Sequence, residues 1–207
     1  ATHPDAGITY YASDMKMYGH TDGSYLSEPK AGSRAGAFFF LGSNCKEGEQ
    51  PLINGAILCI SVRFKAVLAS AAETEYGSVF IGCQEAEPLC TTLEDMGHPQ
   101  GPTPIQCDNK CAVGLANDTV KQRMSKAVDM RFHWIRDRIG QGHFIVFWRP
   151  GTENLADYFT KEHPTRHFRS MRHYWVTDPL EGQTKKHVTP ARARRIARRA
   201  GMNSNKE

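Results

Sequence analysis

The sequence predicts an α/β domain: a mixed five-stranded sheet, its first three strands antiparallel, flanked by helices. Three observations carry this. Three β-prone stretches precede the strongest helix start in the chain. After that helix, short strands alternate with helical segments, the order expected of strands joined in parallel through helices. Four carboxylates, in the order Asp, Glu, Asp, Asp, fall where a strand or a helix end can present them. With 207 residues and 40% hydrophobic composition the chain can bury a full core, and its length favours one domain with extensions.

The stretch from Met15 to Tyr25 is rich in Tyr, Thr and Ser, and the β-prone run Ala37 to Leu41 follows a connection bearing Gly, Pro and Ser, so the two read as a hairpin. Ile57 to Phe64 is a third strand, after a polar loop from Gly42 to Gly55. Ser70-Ala-Ala-Glu73 has capping-box spacing, which satisfies two orphan amide donors and starts a helix near Ser70. Ala72, Tyr76, Val79, Phe80, Cys83 and Cys90 form its apolar stripe, and Glu75 is expected to border that stripe rather than sit in it. Pro88 is expected to kink or divide this helix, and Gly97 with Pro99 to close the segment. Pro104 to Asp108 reads as a strand leading into a short helix. A further helix runs from Ser125 to Ile139, with Ala127, Met130, Trp134, Ile135 and Ile139 inward. Phe144 to Trp148 is a strand, Pro150-Gly151 a turn, and Thr152 to Lys161 a last helix carrying Asp157.

No run of 18 apolar residues exists, and the N-terminus lacks the layout of a signal peptide, so an intracellular protein with no membrane partner is expected. The net charge of +4 is unevenly spread. Residues 176–207 hold eight Lys or Arg against three acids, whereas residues 1–175 hold 18 basic and 19 acidic groups. The basic tail fits non-specific nucleic-acid binding, a nuclear-entry signal or a disordered terminus equally well. The six cysteines show no paired zinc spacing and read as reduced core thiols.

Asp22 stands in His-Thr-Asp-Gly-Ser-Tyr, Glu75 in Ala-Glu-Thr-Glu-Tyr, Asp108 in Ile-Gln-Cys-Asp-Asn and Asp157 in Asn-Leu-Ala-Asp-Tyr. Carboxylates brought together from separate elements can hold two divalent ions roughly 4 Å apart, the arrangement that cleaves phosphodiesters. Hard oxygen ligands favour Mg2+, with Mn2+ able to substitute. Of the two glutamates in Ala-Glu-Thr-Glu-Tyr, helix geometry favours Glu75, which precedes Tyr76 and the next apolar turn, and Glu73 is better used by the cap.

These acids, in this order of elements, resemble the ribonuclease H fold. The strings Pro-Thr-Pro-Ile-Gln-Cys-Asp-Asn and Trp-Arg-Pro-Gly-Thr-Glu-Asn-Leu-Ala-Asp-Tyr-Phe-Thr-Lys, with Ser-Tyr-Leu-Ser-Glu-Pro-Lys-Ala and Ala-Ser-Ala-Ala-Glu-Thr-Glu-Tyr, are similar to the ribonuclease H domain of copia-type retrotransposon polyproteins. The resemblance runs from about Ile8 to Trp175. It implies residues 1–14 as a lead-in from the preceding polymerase region and 15–175 as the domain; beyond it, 176–207 is a basic tail whose composition is expected to leave it disordered. It also implies Asp22, Glu75, Asp108 and Asp157 as catalytic metal ligands, hydrolysis of the RNA strand of an RNA:DNA hybrid during reverse transcription, and the polymerase region of the same polyprotein as partner, in a cytoplasmic particle or the nucleus. Cellular members carry a histidine in the loop before the last helix. Here that loop is Arg149-Pro-Gly-Thr-Glu, so no general base is assigned.

Candidate substrate contacts are Asn109, beside Asp108, and the cluster Lys121, Arg123, Ser125 and Lys126 ahead of a helix start, where backbone amides can also meet a phosphate. A solvated charged turn explains that cluster as well. From Lys161 to Tyr174, Arg166, Arg169 and Arg172 interleave with His163, His167 and His173, which reads as a helical surface, zinc lacking a fourth ligand. The competing function is a catalytically inactive module of a degenerate element that binds nucleic acid or packs. An integrase would end its acid set on a glutamate, and a proofreading exonuclease would open on Asp-x-Glu. Neither pattern is present.

Overall fold

The structure is a computed structural model that describes residues 6–45, 49–120 and 126–176, except the side chains of residues 126–129 and 132. The strands are β1 (Lys16–Glu28), β2 (Gly32–Gly42), β3 (Ala56–Arg63), β4 (Thr103–Cys107) and β5 (Phe144–Trp148). The helices are α1 (Ala71–Asp95), α2 (Lys110–Ala116), α3 (Lys126–Gly140) and α4 (Thr165–Met171). One mixed sheet has the order β3-β2-β1-β4-β5, with β1–β2 and β2–β3 antiparallel and β1–β4 and β4–β5 parallel. The expected sheet is therefore present.

The β1–β2 hairpin is tighter than the expected connection. Both strands extend into it, leaving the turn Pro29 to Gly32 with Lys30 and Ala31 at φ 57° and 54°. Two left-handed central residues match the right-handed twist of the flanking strands.

β2 explains the run of three phenylalanines. Successive side chains on a strand face opposite ways. Phe39 joins Met17, Ile60, Tyr76, Val79, Cys83 and Ile105 beneath α1, whereas Phe38 and Phe40 pack with Leu155, Met171, Tyr174 and Trp175 on the other face. All three are fully buried.

Ser70 caps α1 as expected, its hydroxyl accepting from the Glu73 amide at 3.1 Å, and Glu73 reaches back to accept from the Ala69 amide. At the other end His98 N–H donates to Leu93 O and Gly97 N–H to Glu94 O, a Schellman closure. The helix is continuous through Pro88 rather than divided there. Pro88 and Gln84, whose carbonyl loses its helical partner to the proline, are both exposed, so that carbonyl faces water.

Three other expectations are corrected. Met130 is 84% exposed, because at 100° per residue it stands about 140° from the buried Ile135. Cys45, Cys59 and Cys111 are exposed free thiols, so only Cys83 and Cys107 are fully buried core residues. The segment from Thr152 to Lys161 is not one α-helix but two 3-10 turns, Gly151–Glu153 and Leu155–Phe159. Buried Asn154 separates them: its side chain accepts from Ala156 N–H at 3.1 Å and donates to Thr21 O at 2.8 Å, tying the segment to β1 rather than letting a helix propagate.

Candidate active site

The parallel register of β1 and β4 places Asp22 and Asp108. Gly19 faces Ile105 and His20 faces Gln106, so the same offset carried two residues on sets Asp22 beside Asp108. Neighbouring strands lie about 4.8 Å apart, and residues two apart share a face. Asp108 thus stands just past the carboxyl end of a parallel strand, where open α/β sheets collect ligands.

Glu75 arrives from the first turns of α1, and Gly23 allows it. A Cβ on Gly23 would lie 2.8 Å from the Thr74 carbonyl carbon and oxygen and 2.9 Å from the Glu75 amide nitrogen. The helix backbone therefore rests directly on β1. This corrects the expectation for Glu75: it is 7% exposed, buried against the sheet rather than bordering it. Asp22 is 1% exposed and Asp108 half-buried.

Asp22, Glu75 and Asp108 each offer a carboxylate oxygen within 4.8 Å of the others. Burial, opposed in part by the Thr160 hydrogen bond and Lys161, pushes the Asp22 carboxyl up to about 6, with Asp157 and Asp108 adding to the rise. Burial and the charges of Asp22 and Asp108 push Glu75 up to about 9. Burial raises Asp108 as well, and Glu75 hydrogen-bonds to it. Three carboxylates that resist ionising together are a donor set in need of cations, and all-oxygen chemistry suits hard divalent ions.

Asp157, on the second 3-10 turn, stands outside that triplet but close enough for its charge to raise Asp22 and Asp108. Its carboxylate is paired with Lys161 and lies 3.4 Å from His163 Nε2. Burial works against the Lys161 ammonium, but the hydrogen bond to Asp157 and the charges of Asp22, Asp157 and Asp108 outweigh it and hold its pKa up. Sequence reasoning passed over Lys161, although the i,i+4 spacing from Asp157 signals it.

Thr160 donates its hydroxyl to Asp22 Oδ2, a contact across 138 residues that no local pattern reveals. His20, 4% exposed between Phe38 and Phe40, is pushed down to about 3 by burial and by the Arg149 charge. It stays neutral, and its Nδ1 accepts from Leu155 N–H at 3.2 Å, holding the Asp157 segment on the sheet. Gly151 has no side chain where Asp108 Oδ2 lies closer than any real Cβ contact.

Asn109 caps α2, its side chain accepting from Cys111 and Ala112 N–H at 3.0 and 3.1 Å. Lys121, Arg123 and Ser125 lie outside the described residues, as do the side chain of Lys126 and the basic tail. The His163 ring stacks on Tyr158 and the His167 ring is tilted against both, and neither histidine joins a metal-binding group among the described residues. No helix among the described residues is long and apolar enough to cross a membrane.

No protein-family model matches the chain. It is 26% identical over 161 residues, 78% of its length, to the retrovirus-related Pol polyprotein from transposon TNT 1-94 of Nicotiana tabacum. It is 31% identical over 102 residues, 49% of its length, to the corresponding polyprotein from transposon RE2 of Arabidopsis thaliana. The chain spans 11% and 7% of those two polyproteins. Among solved structures it is similar to the N-terminal ribonuclease H domain of Rv2228c from Mycobacterium tuberculosis, with TM-score 0.50, 16% identity, and coverage of 70% of this chain and 91% of that one. It is also similar to LC11-RNase H1 isolated from compost, with TM-score 0.51, 15% identity, and coverage of 74% and 99%. That enzyme has been solved in complex with an RNA/DNA hybrid as well, and the match there has TM-score 0.50 at 14% identity.

The fold is that of ribonuclease H. Its sequence relatives are retrovirus-related Pol polyproteins of plant transposons, and the chain is consistent with a ribonuclease H domain of a retrotransposon polyprotein.

Proposed function

We propose that this chain is a metal-dependent endonuclease that hydrolyses the RNA strand of RNA:DNA hybrids during retrotransposon reverse transcription, working beside the polymerase region of its polyprotein in a cytoplasmic particle or the nucleus. The observation that carries this reading is the convergence of Asp22, Glu75 and Asp108, from a strand, a helix and a strand end, within 4.8 Å, with their carboxyls held above the ordinary range.

Asp22, Glu75 and Asp108, joined by Asp157, would hold Mg2+, with Mn2+ as substitute. Bound there, the ions would supply an activated water and charge stabilisation for the leaving oxygen. The chain's own contribution is positioning. Thr160 orients Asp22, Asn154 and His20 fix the Asp157 segment on the sheet, and Lys161 offsets part of the acidic charge. Asn109, Lys121, Arg123, Ser125 and Lys126 are proposed substrate contacts. A hybrid would be recognised by its shape and its 2′-hydroxyls rather than its sequence.

The test is cleavage of a labelled hybrid in magnesium and then manganese, with single- and double-stranded RNA and Asp108→Asn as controls. Metal-dependent cutting of the hybrid's RNA alone, abolished in the variant, is the expected result. A folded protein that binds the hybrid in both metals without cutting it would favour the inactive binding module instead.

A further inference from the structure

Two residues beyond Asp108 the structure holds a cation over an aromatic ring. Trp148 closes β5, pairs across the sheet with Cys107, and is 40% exposed despite its size. Its indole N–H donates to the backbone carbonyl of Asp108 at 2.8 Å, which fixes the ring beside the acid cluster. The Lys110 ammonium sits 4.4 Å from the centre of that ring. An ammonium over an indole face is attracted to the ring's negative quadrupole. Among the described residues Lys110 pairs with no carboxylate, so its charge remains free to meet an anion.

A lysine on a four-carbon stem ordinarily loses much rotamer freedom when it binds. Here the freedom is already reduced by the ring, and the ring by Asp108. An exposed aromatic plate carrying an immobilised cation at the rim of a phosphodiester-cutting site matches the chemistry of a nucleic-acid backbone.

We propose that Lys110, held over the Trp148 indole, is a phosphate contact for the strand that lies across the acid cluster, with Trp148 as its positioning residue. This rests on the reading of the chain as a hybrid-binding nuclease. Lys110 supplies the charge, and Trp148 acts through it and through the Asp108 backbone.

The experiment is fluorescence-anisotropy titration of a labelled RNA:DNA hybrid across a salt series, in calcium in place of magnesium, alongside the cleavage assay. Lys110→Ala is expected to weaken binding several-fold and to make the slope of log K against log salt shallower by roughly 0.9, the loss of one phosphate contact. Trp148→Phe keeps a ring under the ammonium but lacks the indole N–H that bonds to Asp108, and is expected to bind between wild type and Trp148→Ala. Trp148→Ala should bind as weakly as Lys110→Ala, and the double variant no more weakly than either alone, because the two residues act as one unit. An unchanged affinity and salt slope for Lys110→Ala overturns the proposal, as does Trp148→Phe binding as poorly as Trp148→Ala with its fold intact. The two readings fail separately. A wild-type protein that cuts the hybrid while Lys110→Ala binds normally refutes only the phosphate contact, whereas a wild type that binds through Lys110 but never cuts refutes only the nuclease.

Discussion

Replacing Asp22 by asparagine should stabilise the metal-free protein and abolish its stabilisation by magnesium. The carboxyl stands at about 6 in the folded protein against an ordinary 3.8, raised chiefly by burial. Below about pH 3 it is protonated in both folded and unfolded chains and carries no penalty. As pH rises from there to about 6 the unfolded chain releases its proton first, so stability is lost across that interval and the loss is complete above it. At 1.36 kcal/mol per pH unit the full penalty is about 3 kcal/mol. Asparagine has nearly the same shape, keeps an acceptor for Thr160 and carries no charge. In EDTA at pH 8, Asp22→Asn should therefore be more stable by up to about 3 kcal/mol, or roughly 6–12 °C in Tm for a chain of this size. Near pH 3 the two proteins should melt together. Added magnesium should raise the Tm of the wild type, since an ion that binds only the folded state stabilises it by mass action, and leave the variant nearly unmoved. Scanning calorimetry at the two pH values, with and without magnesium, reads all four numbers. An Asp22→Asn protein less stable than wild type in EDTA at pH 8, or one that gains as much from magnesium, would refute the reasoning.

Three other substitutions have defined outcomes. Gly23→Ala forces a methyl into the α1 backbone and should lower stability by about 1–3 kcal/mol in urea denaturation, with a loss of hybrid cleavage because Glu75 moves with the helix. Asn154→Ala leaves the Thr21 carbonyl and the Ala156 amide without their partner in a buried place and should cost about 2–3 kcal/mol by the same measurement. Pro88→Ala restores a helical donor at an exposed position inside α1, and calorimetry should show a Tm higher by a few degrees, the gain capped at about 3 kcal/mol by the helix propensities of the two residues.

Local chemistry made much of this legible. The Ser70 cap, the Gly97 closure and the β5 boundaries involve residues within a few positions of one another, so composition and spacing disclose them. The order of Asp22, Glu75, Asp108 and Asp157 along the chain could likewise be read directly, because each lies in a short local motif.

What stayed hidden depends on tertiary contact. Glu75 looked peripheral on a helical wheel because the wheel assumes one apolar face, whereas the first turns of α1 lie on β1 with Thr74 and Ser78 also buried. The 3-10 turns around Asn154 replace a helix because that side chain bonds to Thr21, 133 positions away. Thr160 reaches Asp22 across a similar gap. Met130 was assigned inward from its apolar character, but the direction of Ile135 fixes which side of α3 is covered. Trp148 ends β5, and only the register that brings it beside Asp108 shows its indole as part of the site rim.

The central claim is that Asp22, Glu75 and Asp108 are the ligands of a divalent metal centre. Crystals soaked in manganese, with anomalous diffraction recorded near the manganese absorption edge, test it most directly. The expected result is anomalous density among the three carboxylates, with Asp157 alongside and Lys161 shifted from its present contact, and no such density in Asp108→Asn. Strong manganese density elsewhere on the surface and none at this cluster would contradict the account.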